Sequence, residues 1–233
     1  MPVAVVVVLS AAITALLCSF GPSVIRRLPE PAVESDLADK VPYPDIAARP
    51  GLAVRLAVGG AVVGGLVGWR PGWDSALLPW LYLGAVGVVL AYIDARTRLL
   101  PTRIIGPSYA VLAALICVAS IVEQSADGLV RAGLGWLAMG GCYVVLWLIY
   151  PRGLGYGDVR LSGLLGLGLG YVGWPALVTG AYSGFLIGGV GGGLLALLRV
   201  VHHRHFPFGP FMLAGSLVGL VWGETFAEWY VSR

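Results

Sequence analysis

Eight long runs of apolar residues constrain this chain more than any other feature: about 3–20, 52–68, 76–93, 104–122, 129–150, 159–178, 181–200 and 208–227. A helix needs roughly 20 such residues to cross the hydrocarbon core of a bilayer. Inside lipid every backbone N–H and C=O must find a partner within the protein, which leaves helices and closed barrels as the spanning structures. The expectation is an all-α fold: a polytopic helical membrane protein with about eight transmembrane helices, forming a single membrane-embedded domain over 1–233. Charged residues make up only 12% of the chain and hydrophobic ones 58%, too lopsided to cover a soluble surface and the opposite of a disordered composition. The first run has no basic stretch before it and no small-x-small cleavage site, so it reads as a retained span and not a signal peptide.

The basic residues give the orientation. Arg26, Arg27, Lys40, Arg49 and Arg55 follow the first run, Arg96, Arg98 and Arg103 the third, Arg152 and Arg160 the fifth, and Arg199 and Arg204 the seventh. Only Arg70, Arg131 and Arg233 fall on the other side. Cytoplasmic loops carry the excess of Lys and Arg. Both termini are therefore expected outside, with the odd-numbered loops in the cytoplasm. The longest connection, 21–51, is a short proline-rich cytoplasmic segment that holds Glu30, Glu34, Asp36, Asp39 and Asp45. A net charge of +3 gives no reason to expect nucleic acid as a partner; the lipid bilayer is the expected environment. Glycines recur at four-residue spacing, as in Gly60, Gly64 and Gly68 or Gly184, Gly188 and Gly192. That spacing puts small residues on one helix face, where helices approach closely.

Ionisable groups at membrane depth are expensive and are functional candidates by default. Asp94 ends the third run and Asp158 opens the sixth, and the orientation puts both at the cytoplasmic face. Glu224 and Glu228 lie near the outer end of the last run. Two carboxylates within a few ångströms cannot easily both ionise, and such a pair titrates as a unit. One member can deprotonate a water while the other donates a hydrogen bond to a scissile carbonyl, which is peptide hydrolysis without a metal. The spacing alone fits a second reading equally, in which each aspartate pairs with a local arginine, Arg96 or Arg160. Gly155 and Gly157, just ahead of Asp158, allow a close backbone approach.

These residues carry a resemblance. Gly155-Tyr156-Gly157-Asp158-Val159-Arg160-Leu161 is similar to the G-x-G-D-x-K-L motif of the type IV prepilin peptidases, membrane aspartic proteases of the Gly-x-Gly-Asp class, with Arg160 in place of lysine. Asp94 followed by Leu100-Pro101 resembles their first-aspartate motif, with Thr102 where many members have another aspartate. Phe206-Pro207-Phe208-Gly209-Pro210-Phe211 resembles the P-F-G-P-F signature before the last helix, and Ser19-Phe20 with Arg27-Leu28-Pro29 the N-terminal segment. The resemblance implies an aspartic endopeptidase with Asp94 and Asp158 as its catalytic pair, supported by Gly155, Gly157, Arg160, Pro101, Pro207 and Gly209. It implies cleavage of the leader from prepilin or pseudopilin substrates of type IV pilus and protein secretion systems, at the cytoplasmic face of the bacterial inner membrane, with no cofactor.

Many members also carry two C-x-x-C pairs in a cytoplasmic domain, associated with zinc and with N-methylation. The segment 21–51 has no cysteine and is too short for that domain, so zinc binding and N-methyltransferase activity are not expected. Arg160 is read as a cytoplasmic anchor or as a group tuning Asp158. His202, His203 and His205 flank Arg204 in a solvated basic loop suited to anionic lipid. Trp69, Trp73, Trp80, Trp174 and Trp229 are expected as interface anchors. A small transporter is the competing class. It should place its ionisable groups near the midplane and show repeated halves, whereas the acids here gather at one face.

Overall fold

The computed structural model describes residues 2–30, 41–70, 75–151, 153–197 and 207–233, and the side chains of all of these except 192–197. Lys40, Trp73, Arg152, Arg199, Arg204 and the three histidines lie outside the described residues. Ten helices are present among them: α1 (Val3–Ser19), α2 (Gly21–Arg26), α3 (Tyr43–Ala47), α4 (Leu52–Trp69), α5 (Leu77–Thr97), α6 (Thr102–Glu123), α7 (Asp127–Ile149), α8 (Tyr156–Val172), α9 (Trp174–Leu197) and α10 (Gly209–Val231).

The eight apolar runs correspond to α1 and α4 to α10. Six of the helical stretches are long and apolar enough to cross a membrane: α1 continued through α2 to Arg26, then α4, α5, α6, α7 and α10. The outward surface has the matching character. Val8, Leu16, Val54, Val58, Val62, Ile121, Leu137, Leu148 and Val190 all project from the bundle and are exposed. Apolar exposure of this extent on a helix bundle is a lipid-facing surface. The protein is an all-α, multi-pass membrane protein.

Glycine sets the closest helix approaches. A Cβ on Gly60 of α4 would stand 2.7 Å from the Thr14 carbonyl oxygen of α1, and Gly64 and Gly68 meet α1 in the same way one and two turns on. Ser10, Thr14 and Cys18 are thereby buried under α4. Between α7 and α8, a Cβ on Gly135 would lie 2.5 Å from the Gly166 carbonyl. Between α9 and α10, a Cβ on Gly223 would lie 2.7 Å from Ala176 Cα. Three tight pairs result, α1 with α4, α7 with α8, and α9 with α10. Helix α5 contacts both members of the first pair and also α6, α8 and α10.

Two expectations are corrected. The sixth and seventh apolar runs part at the Gly173-Trp174-Pro175 turn of the sequence, so that the sixth ends at Val172 and not at 178 and the seventh starts at Trp174 and not at 181. Gly173 terminates α8, and Pro175, which has no N–H to give, sits in the first turn of α9 where none is needed. Trp80 is no interface anchor: it is 2% exposed and packs in the core. Trp69, Trp174 and Trp229 are exposed at helix ends as expected.

Candidate active site

Asp94 and Asp158 reach the same end of the bundle from opposite chain directions. Asp94 lies in the last turn of α5, because that helix runs four residues past the apolar stretch before stopping at Arg98, which adopts a left-handed φ of 55°. Asp158 lies in the first turn of α8. Both are buried, Asp94 at 3% and Asp158 at 9% exposure, and the Asp158 carboxylate is near enough to Asp94 to act on it electrostatically.

Each carboxylate is held by a backbone N–H. Gly155 N–H donates to Asp158 Oδ2 at 3.1 Å, the reach-back of an acidic residue at the third helical position to its N-cap. Gly209 N–H, at the start of α10, donates to Asp94 Oδ2 at 3.0 Å. Among the described residues neither Oδ1 takes part in a hydrogen bond, so each aspartate keeps one oxygen for another partner.

The flanking motif residues explain themselves sterically. Pro101 precedes α6 and turns the chain so that Leu100 is buried between the two aspartate-bearing segments. A Cβ on Gly157 would come to 2.9 Å from Leu100 Cβ, and one on Gly209 to 2.8 Å from Asp94 Oδ2. Neither position has room for a side chain without moving Leu100 or the carboxylate. Pro207 is half-buried two residues ahead of Gly209. Its neighbour Phe208 packs its ring on Phe185 at 5.6 Å and on Tyr143 at 6.5 Å.

The local-arginine reading of the aspartates does not describe this site. Arg96 lies over the Tyr92 ring at 5.7 Å, and Arg160 over the Tyr156 ring at 4.9 Å. Arg160 also donates to the Thr102 hydroxyl of α6. Its guanidinium is committed to these groups, while the Asp158 carboxylate is held by Gly155. Glu224 lies at the other end of the bundle, beside Gly173 and near Arg70.

The Type IV leader peptidase family profile matches residues 81–223, more than half of the chain, and both aspartates fall inside that stretch. The chain belongs to the type IV leader peptidase family. It is 31% identical over 167 residues to a "Prepilin leader peptidase/N-methyltransferase" of Aeromonas salmonicida, covering 68% of this chain and 52% of that protein. Against the protein of the same name from Bacillus subtilis it is 27% identical over 156 residues, covering 66% of this chain and 60% of that one. It is 35% identical over 151 residues to "Leader peptidase HopD" of Escherichia coli, covering 62% of this chain and 93% of that protein. The chain thus spans about half the length of the first of these relatives. No solved structure matches it.

Two features of the site had little or no signal in the sequence. Gly209 belongs to a motif flagged by resemblance, but nothing local says that its N–H would hold a carboxylate 115 residues away. Tyr143 gave no signal at all: an aromatic residue inside an apolar run reads as core.

Proposed function

We propose that the chain is one membrane-embedded peptidase unit, an aspartic endopeptidase that removes the leader from type IV prepilin-like substrates at the cytoplasmic face of the bacterial inner membrane. The observation that carries this reading is the buried pair Asp94 and Asp158, each tied through one oxygen to a backbone N–H and each with no hydrogen bond at Oδ1 among the described residues. The leader peptidases among its relatives support the substrate class. The basic residues near the aspartates, Arg96, Arg98, Arg103 and Arg160, support the cytoplasmic side. By the same rule both termini are external.

The chemistry follows from the two free oxygens. A water held between them loses a proton to the ionised carboxylate as its oxygen attacks the scissile carbonyl carbon. The protonated carboxyl meanwhile hydrogen-bonds to the carbonyl oxygen and passes its proton to it as the tetrahedral diol forms. The diol collapses as the carboxyl that took the water proton gives it to the departing amide nitrogen and the other carboxylate takes a proton from a diol hydroxyl, which leaves the pair with its single proton. General acid–base assistance of this kind contributes roughly 10²–10⁴-fold per group. The substrate's hydrophobic helix stays in the bilayer beside the bundle, and its leader, on the cytoplasmic side, is released.

The test is co-expression with a candidate prepilin from the same genome and N-terminal sequencing of the product. A new N-terminus immediately after a glycine, ahead of the hydrophobic helix, is the expected result. Uncleaved prepilin beside a stably inserted enzyme overturns the substrate assignment.

A further inference from the structure

Tyr143 sits on α7, where its ring is 1% exposed, packed against Phe185 at 5.2 Å and Phe208 at 6.5 Å. Its hydroxyl is buried and has no hydrogen-bond partner among the described residues. Such an oxygen has given up water and received nothing in exchange, which disfavours the folded state and calls for a reason.

The helix register shows the level at which Tyr143 lies. Helices α7 and α8 run antiparallel in close contact, with Gly170 against the Arg131 carbonyl, Gly135 against the Gly166 carbonyl, and Gly140 against Gly163 Cα. One further turn in the same direction sets Tyr143 level with Val159 and Asp158. The phenol and the Asp158 carboxylate are near enough to interact electrostatically, yet they form no hydrogen bond with each other. On its other side the ring rests on Phe208, the residue just before the Gly209 N–H that holds Asp94. An unsatisfied donor therefore lies beside one aspartate and backs onto the segment that positions the other.

We propose that Tyr143 is a third catalytic residue of this site, whose hydroxyl donates a hydrogen bond to the carbonyl oxygen of the substrate's scissile peptide as negative charge develops there. This rests on the aspartic-peptidase reading above. The substrate supplies the partner that the folded enzyme lacks, and a buried donor aimed at a developing oxyanion stabilises the transition state more than the ground state. The ligand class is an extended peptide backbone.

Tyr143→Phe removes only the hydroxyl oxygen and keeps the ring among Phe185 and Phe208. With purified enzyme and a prepilin substrate, we expect kcat to fall by about 10²-fold, the lower end for loss of one such donor, with KM within about threefold. The thermal midpoint in detergent is expected to be equal or higher, because an unpaired buried oxygen has been removed. Tyr92→Phe is the control: it deletes another buried, unpartnered hydroxyl, on α5 but packed toward the cluster that α5 forms with α1 to α4, and should leave kcat unchanged. If Tyr143→Phe processes prepilin at the wild-type rate while Asp94→Asn and Asp158→Asn are inactive, the Tyr143 assignment is wrong and the aspartate reading stands. If the aspartate variants remain active, the aspartate reading itself falls. If activity drops together with the thermal midpoint, Tyr143 is a packing residue and the proposal is overturned.

Discussion

The N–H of Gly209 and Asp94 Oδ2 meet at 3.0 Å, and this hydrogen bond ties the start of the last helix to the end of the third spanning helix, α5. It explains why the position is glycine. A Cβ there would lie 2.8 Å from the carboxylate oxygen it is meant to hold. The donor can approach only because the residue carrying it has no side chain.

Gly209→Ala should therefore displace Asp94 without emptying the core. Overpacking of this size costs about 1–3 kcal/mol. The larger effect is expected on activity, since a misplacement of about 1 Å at a catalytic group can cost on the order of 10²-fold. Prepilin processing by purified variant, set beside its thermal midpoint, checks this. Activity within a factor of three of wild type would mean that Asp94 does not depend on the Gly209 N–H.

Arg160 and Thr102 make a second cross-helix contact, and it joins two positions where the chain departs from its family's common pattern. An aspartate and a lysine at these places would form an ion pair; here a hydroxyl accepts from a guanidinium. Thr102→Asp is expected to restore charge pairing. Because the contact lies at the surface, where Thr102 is exposed, the gain in stability should stay within about 0–1 kcal/mol. Arg160→Gln should leave processing within about threefold of wild type, because the guanidinium faces Thr102 and Tyr156. A loss of tenfold or more would show that its charge acts on Asp158.

Much of this was legible before any coordinates. The all-α class and the approximate positions of the long apolar helices follow from length and hydropathy, because a bilayer tolerates few alternatives to a long apolar helix. The Gly173-Trp174-Pro175 turn between α8 and α9 is visible in the sequence, but the bounds 159–178 and 181–200 run past it because both sides of Gly173 are equally apolar. Trp80 was misread because an aromatic residue near a span end satisfies the sequence rule for an interface anchor and for a core residue alike. In the site, the two aspartates stood out as rare charges in apolar surroundings. The Gly209 donor and the Tyr143 hydroxyl did not, because their meaning comes from neighbours distant in sequence.

Orientation is open to direct measurement. Reporter fusions after Gly51 and Thr102 should read as cytoplasmic, and fusions after Ala126 and at the C-terminus as external, as the distribution of Arg and Lys requires. The reverse pattern would put Asp94 and Asp158 on the side away from the leader and would sink the proposed mechanism.

The sharpest test concerns the pair itself. Asp94→Asn and Asp158→Asn preserve size and keep a carbonyl oxygen able to accept from Gly209 or Gly155. What each removes is an acid–base group. If the two carboxylates work as one unit around a single water, either change alone should reduce cleavage to background. The double variant should then be scarcely worse than either single one, because losses within one catalytic unit do not add. Insertion and accumulation should survive, since a neutral amide at this depth costs less than a carboxylate. Glu224→Gln should do little, because Glu224 sits beside Gly173 at the opposite end of the bundle. Cleavage assays on matched membranes separate the outcomes. A single aspartate variant that still processes prepilin near the wild-type rate would end the two-carboxylate mechanism. A failing Glu224 variant would move the functional site to the other face.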